Sequence, residues 1–231
     1  MTMPLLLSID TSARVAGVAL LAGEQVLAEE TWRATANHTT RLLPVIQHLL
    51  GGSGHRPGDV EAVAVAVGPG AFSGLRVGIA TAKSLAWALG IPCLGIGSLD
   101  AIAAAAPAAA RVLAVLDAGR GEWYWATYQA GRDGRRCLTA PQIGDPAAVL
   151  GSLTRSVVLA GDTTPEQRAL IDMRFAKLVD YGDPRLPATR PAALGQLAQA
   201  RLAAGDRDDP ASLQPLYIRR PAAEERRGTT R

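Results

Sequence analysis

Three short segments carry the side chains best suited to chemistry. Asp10-Thr11-Ser12 sets a carboxylate and two hydroxyls at one turn, Asp117-Ala118-Gly119-Arg120-Gly121 repeats a carboxylate followed by glycines, and Gly161-Asp162-Thr163 closes a third apolar run. Such turns can face a hydrated divalent cation or the oxygens of a phosphate. The same residue types also gather at turns for backbone reasons, because their side chains cap neighbouring amides. A fourth segment, Gly68-Pro69-Gly70-Ala71-Phe72-Ser73-Gly74-Leu75-Arg76-Val77-Gly78, leads from the apolar run Val60 to Val67 into a long apolar helix. Glycine permits an abrupt strand-to-helix turn, so this junction either binds an anion or packs a partner. No Gly-Lys-Ser/Thr ending follows it.

Other chemistries find little footing. His38, His48 and His55 have no tight metal spacing, and no Ser, His and Asp set can be assembled. Cys93 and Cys137 lie far apart without a CxxC, which fits a reducing cytoplasm. The apolar stretch Pro4 to Ile9 is too brief for a signal core, and Arg76 and Lys83 interrupt the longest apolar helix, so no membrane span is expected. A formal charge of +3 on 231 residues is no nucleic-acid footprint, although five Arg against two Glu fall between Arg219 and Arg231.

The elements that must position these residues follow from periodicity. Leu5 to Ile9, Val15 to Ala22 and Val26 to Thr31 read as three successive strands. After Asn37 as N-cap, Leu42, Leu43, Ile46, Leu49 and Leu50 recur at helical spacing up to Gly51-Gly52. Val60 to Val67 is a strand, Ser73 to Leu89 a helix, Pro92 to Ile96 a strand and Leu99 to Ala106 a helix. This β-β-β-α-β-α-β-α order is that of a ribonuclease H-like lobe. Beyond the connector Ala103 to Ala110 a weaker copy begins. Its strands are Val112 to Leu116 and Glu122 to Tyr128, with a turn at Gly131 to Gly134. Helix Ala147 to Leu153, strand Val157 to Leu159, helix Pro165 to Ile171 and helix Ala192 to Ala203 complete it. The expected organisation is a first lobe over 1–107 and a smaller second lobe over 108–220. Helix 190–204 is expected to pack back on the first lobe, and 221–231 to be a mobile Arg-rich tail.

In the helix after the glycine junction, Gly74, Gly78, Ala82, Ala86 and Gly90 recur every four residues as a ridge of small side chains. Such a ridge admits close approach of a second helix axis, and its groove is filled either by the sheet or a neighbouring helix of the same lobe or by a second chain.

Taken together, several motifs resemble the TsaB family, the non-catalytic partners of TsaD in making threonylcarbamoyladenosine in bacterial tRNA. They are Ser8 to Ser12, His38 with Leu42-Leu43-Pro44, Gly68 to Gly78, Ala82-Lys83 with Gly90-Ile91-Pro92, Leu116 to Glu122, Gly161-Asp162 and Pro215 to Arg219. The resemblance implies an α/β fold of two ribonuclease H-like lobes, the actin-like ATPase (ASKHA) fold, with the second lobe reduced. It implies a subunit without catalytic residues that dimerises with TsaD, joins TsaE in a larger complex, forms a homodimer when alone, and meets tRNA only through the complex. TsaD carries two metal-binding histidines where this chain has Ser98 and Ile102, so no metal is implied. No cofactor is required. Asp10, Thr11, Ser12, Asp117, Gly119 and Gly161 are the candidate lining of a vestigial cleft for ATP or ADP. Leu42, Leu43 and Ile46 of the first helix, with Gly74, Gly78, Ala82 and Ala86 of the second, are the candidate partner interface. An independent ATPase or phosphotransferase of the same fold, working from Asp10 and Asp117, is the alternative.

Overall fold

The computed structural model describes residues 4–33, 38–107, 111–131, 134–182 and 186–219. Asn37, residues 108–110 of the connector, 132–133 of the expected turn and the tail 221–231 lie outside the described residues. The first sheet contains β1 (Leu5–Asp10), β2 (Val15–Ala22), β3 (Gln25–Arg33), β4 (Ala62–Gly68) and β5 (Cys93–Gly97). Helices α1 (His38–Gly52), α2 (Phe72–Leu89) and α3 (Ser98–Ala105) punctuate them. The strand order is β3-β2-β1-β4-β5, with β1 to β3 antiparallel and β4 and β5 parallel to β1.

The second half repeats that plan. It comprises β6 (Arg111–Gly119), β7 (Glu122–Gly131), β8 (Gly134–Gly144), α4 (Pro146–Gly151), β9 (Val157–Gly161), α5 (Pro165–Arg174), β10 (Val179–Tyr181) and α6 (Leu186–Ala203). Its order, β8-β7-β6-β9-β10, places β6 where β1 stands and runs β9 and β10 parallel to it. Two of these strands, β8 and β10, escape the sequence pattern. Both are sheet edges: β8 has hardly a buried side chain and contains Pro141, and β10 is three residues long, so neither shows the period-two burial that marks an inner strand. The reduction of this lobe lies in its short last strand and in α4, not in strand number.

Side chains alternate along β1 as a sheet buried on both faces requires. Leu5, Leu7 and Ile9 join Leu42, Ile46, Val63 and Ile79 under α1 and α2, whereas Leu6 joins Ala19, Ala64, Leu94, Leu194 and Ala198 under α6. Helix α6 therefore follows the second sheet in sequence but covers the first. It begins before Pro191, not after it. The Ala192 N–H bonds to Glu29 Oε1 at 2.8 Å, and the Pro191 carbonyl accepts from Ser8 Oγ at 2.6 Å. Between the sheets, α3 packs Leu99, Ile102 and Ala103 against Val112, Ala114 and Leu116 of β6. On the far side of the second sheet, Leu113 and Val115 meet Val149, Leu150 and Ile171 of α4 and α5.

After α6 the chain returns across the first lobe as a strap. Asp208 accepts from the Gly95 N–H at 2.7 Å, Lys83 Nζ donates to the Ala211 and Leu213 carbonyls at 3.3 Å each, and the Leu216 N–H donates to Val67 at 2.7 Å. Tyr217 stacks on Phe72 with centroids 4.9 Å apart, and Arg219 donates to the Ala118 carbonyl of the second lobe at 2.8 Å. Among the described residues no helix is long and apolar enough to cross a membrane.

Candidate functional site

The cleft between the sheets is built from matching turns. β1 ends in Asp10, which is wholly buried, and the turn that follows closes on that carboxylate. Ser12 donates to Asp10 Oδ1 from its N–H at 2.9 Å and from its hydroxyl at 2.6 Å. Arg190 of α6, only 2% exposed, donates from Nε to Asp10 Oδ2 at 2.5 Å and from Nη2 to the Val15 carbonyl at 2.5 Å. Thr11 turns away, donating its hydroxyl to the Gly74 carbonyl of α2 at 2.7 Å.

The corresponding turn of the second lobe ends β6. Asp117 Oδ1 accepts from the Gly119 N–H at 2.8 Å, and Oδ2 takes Arg14 from across the cleft at 2.5 Å. Arg219 pairs with Glu122 beside it. Gly161 ends β9 with φ of 119°, so tight against β6 that an added Cβ would meet the Val115 carbonyl oxygen at 1.9 Å. Asp162 follows, its N–H on that carbonyl at 3.1 Å and its Oδ2 buried without a partner among the described residues. Burial raises the Asp162 acid above the usual carboxylate range, opposed by Arg190 and Arg14 and reinforced by Asp10 and Asp117. The field of one cleft thus joins three carboxylates and two guanidiniums. Outside them lies an open groove of about 500 Å³ between Gly119 to Gly121 and the starts of α4 and α5, each already capped by its own Asp145 or Thr164.

Of the candidate cleft residues, Asp10, Thr11, Ser12, Asp117 and Gly119 stand at the two facing turns and Gly161 at the end of β9. Arg14 and Arg190 join them from outside that set, with Arg219 beside the second turn. Arg190 had no readable signal, since its partner Asp10 is 180 residues away. Ser98 is buried with its Oγ unpartnered among the described residues, and Ile102 belongs to the apolar cluster between the sheets.

The expected partner face needs correction. Leu42, Ile46, Gly74, Gly78, Ala82 and Ala86 are buried within the chain. The small-residue ridge of α2 seats that helix on its own sheet: a Cβ on Gly78 would stand 2.3 Å from Thr11 Oγ1 and 3.5 Å from Val65 Cγ2. Leu43, in contrast, is 50% exposed. On the outer face of α2, Arg76, Ala80, Ser84, Trp87 and Ala88 are exposed, and Trp87 reaches 89%. Periodicity finds such a four-residue ridge but cannot say which of two faces the sheet takes.

Comparison with known proteins agrees with this architecture. The family model described as "TsaD: tRNA N6-adenosine threonylcarbamoyltransferase" matches residues 26–226. The chain is 31% identical over 224 residues to the tRNA threonylcarbamoyladenosine biosynthesis protein TsaB of Bacillus subtilis, covering 95% of this chain and 96% of that one. It is 39% identical over 132 residues to the TsaB of Escherichia coli, covering 56% of this chain and 57% of that one. Among solved structures, YeaZ from Pseudomonas aeruginosa superposes with a TM-score of 0.77 at 28% identity, over 93% of this chain and all of that one. With its duplicated five-stranded sheets and these similarities along nearly its whole length, the chain belongs to the TsaB family of tRNA threonylcarbamoyladenosine biosynthesis proteins.

Proposed function

We propose that this chain is the non-catalytic subunit of the assembly that places threonylcarbamoyl on N6 of adenosine 37 in tRNA, docking to TsaD through the outer faces of α1 and α2. The observation that carries this reading is Trp87, an indole 89% exposed on an outer helix face whose nearest exposed neighbours, Ala80, Ser84 and Ala88, are small, with Arg76 farther toward the helix start. A large apolar side chain set among small ones offers a knob beside a shallow hole, the geometry by which helices pair. Leu43 on α1, 50% exposed, is a second large apolar side chain open to solvent, beside Leu85 and Leu89 of α2. TsaE joins as a third component, a homodimer forms through the same face when TsaD is absent, tRNA is met through the complex, and the cytoplasm is the compartment. The chain alone transfers nothing: Ile102 sits in the apolar cluster where the resemblance places a metal-binding histidine of TsaD.

The test is to replace Ala80 or Trp87 by Arg and measure association with TsaD by size exclusion and calorimetry. Affinity falls by about 2–4 kcal/mol, as for a central interface residue, while thermal stability is unchanged. Full affinity in both folded variants overturns the docking face. Threonylcarbamoyl transfer by the purified chain without TsaD overturns the non-catalytic role.

A further inference from the structure

The actin-like fold implies a nucleotide held through a divalent cation in the cleft between the lobes. Magnesium sites use one or two carboxylates together with phosphate oxygens and water. Asp10 is the carboxylate that the first lobe brings to that cleft, and its oxygens are already taken. Oδ1 accepts twice from Ser12 and Oδ2 accepts from Arg190, with both partners of the ion pair essentially excluded from solvent. A guanidinium fixed at 2.5 Å repels any cation brought to the same oxygen, and that repulsion is strong where water cannot screen it. Arg190 is not a loose side chain that steps aside. Its Nη2 is bound to the Val15 carbonyl, and the next residue, Pro191, packs beside Gly17 and holds the Ser8 hydroxyl. Among the described residues, no three His, Cys, Asp or Glu side chains converge to hold a metal ion.

We infer that Arg190 is a built-in cation at the place a nucleotide-bound metal would take, so that metal–nucleotide binding at Asp10 and the native ion pair exclude one another. The residues present do not fit the group the fold implies. The chain keeps the charge balance of an occupied site without a ligand, and α6 supplies it. Arg190 is a positioning residue here: it pins the start of α6 to the end of β1 and holds Asp10 in its buried orientation.

Manganese–ADP titration, followed by electron paramagnetic resonance, tests the inference on the full chain. The wild type takes up no manganese through Asp10, and Asp10→Asn leaves its titration unchanged. Arg190→Met gains manganese–ADP affinity of about tenfold or more, and Asp10→Asn/Arg190→Met loses that gain. Absence of any gain in a folded Arg190→Met overturns the inference, as does uptake by the wild type that Asp10→Asn removes. Should Arg190→Met not fold, the wild type decides through the ¹⁵N-resolved Nε–H resonance of Arg190. Persistence of that resonance in large molar excess of magnesium–ADP supports the exclusion. Its displacement by the nucleotide overturns it. Full TsaD affinity in the Ala80→Arg and Trp87→Arg variants, which overturns the docking face, leaves all these readings in place, so the two proposals fail separately.

Discussion

Replacing Gly78 by alanine tests how closely α2 must sit on its own sheet. The new Cβ would lie 2.3 Å from Thr11 Oγ1, whose hydroxyl donates to the Gly74 carbonyl one turn earlier. A contact near the usual 3.5 Å requires about 1 Å of movement, and both Gly78 and Thr11 are buried. Overpacking costs about 1–3 kcal/mol, and breaking the Thr11 bond leaves a buried donor and acceptor unsatisfied for about 1–3 kcal/mol more. Alanine returns about 1 kcal/mol through helix propensity. The net loss is about 1–5 kcal/mol, a fall in Tm of roughly 2–20 °C for a chain of this size. Urea denaturation followed by circular dichroism measures it. The diagnostic variant is Gly78→Ala/Thr11→Ala: removing Oγ1 removes the collision, since the Thr11 Cβ would stay at an ordinary 3.6 Å. The double variant is then no less stable than Thr11→Ala alone. Additivity of the two changes within about 0.5 kcal/mol, or a Gly78→Ala protein as stable as its parent, refutes the reasoning. The same logic separates folding from docking, because Gly78 acts on stability whereas Ala80 and Trp87 act on association.

Asp162→Asn moves in the opposite direction. An acid raised in the folded state stabilises fully below its unfolded value and loses that contribution as pH rises through the folded one. The amide is therefore more stable than the wild type at pH 7.5 by about 1 kcal/mol, or roughly 2–4 °C, and its advantage shrinks toward pH 4 in a melting series; an advantage that grows on acidification contradicts the assignment. The two thiols separate as well. Burial, with Asp208 adding and Lys83 opposing, pushes Cys93 up to about 11, while Cys137 lies exposed on β8. At pH 8 a disulfide reagent consumes one thiol in the native protein and the second only on unfolding, and equal native rates for both count against the packing of β5.

Much of this architecture is legible from residues alone. The apolar runs of β1, β2 and β4 announce themselves because both faces of the first sheet are covered, and the glycine junction marks the strand-to-helix turn, with Gly68 at φ of 115°. The second lobe is harder to read, since β8 lies at an edge with charged and proline residues where an inner strand would alternate. The cleft is half legible. Asp10 and Asp117 follow their strands at matching turns, but Arg190 is invisible because its role depends on a helix docking on the other lobe and because Pro191 masks the start of that helix. The docking face fails for a different reason. A ridge of small residues serves a sheet as well as a partner, and only the buried position of Gly78 decides between them.

The placement of α6 has a consequence for how the protein is made. One face of the first sheet, with Leu6, Ala19, Leu21, Ala64 and Leu94, is covered chiefly by Ala192, Leu194, Ala198 and Leu202 of α6, with Ala101 of α3 beside them. On a ribosome the strands of that sheet are complete well before α6 has been translated. At ordinary elongation rates the face stays bare for on the order of 5–20 s, long compared with the time most small lobes need to fold. The nascent first lobe is thus a sticky half-structure that must wait or be shielded, and the second lobe is synthesised in the interval. The emergence of α6 from the ribosome, more than that of the strands it covers, decides when this face is safe.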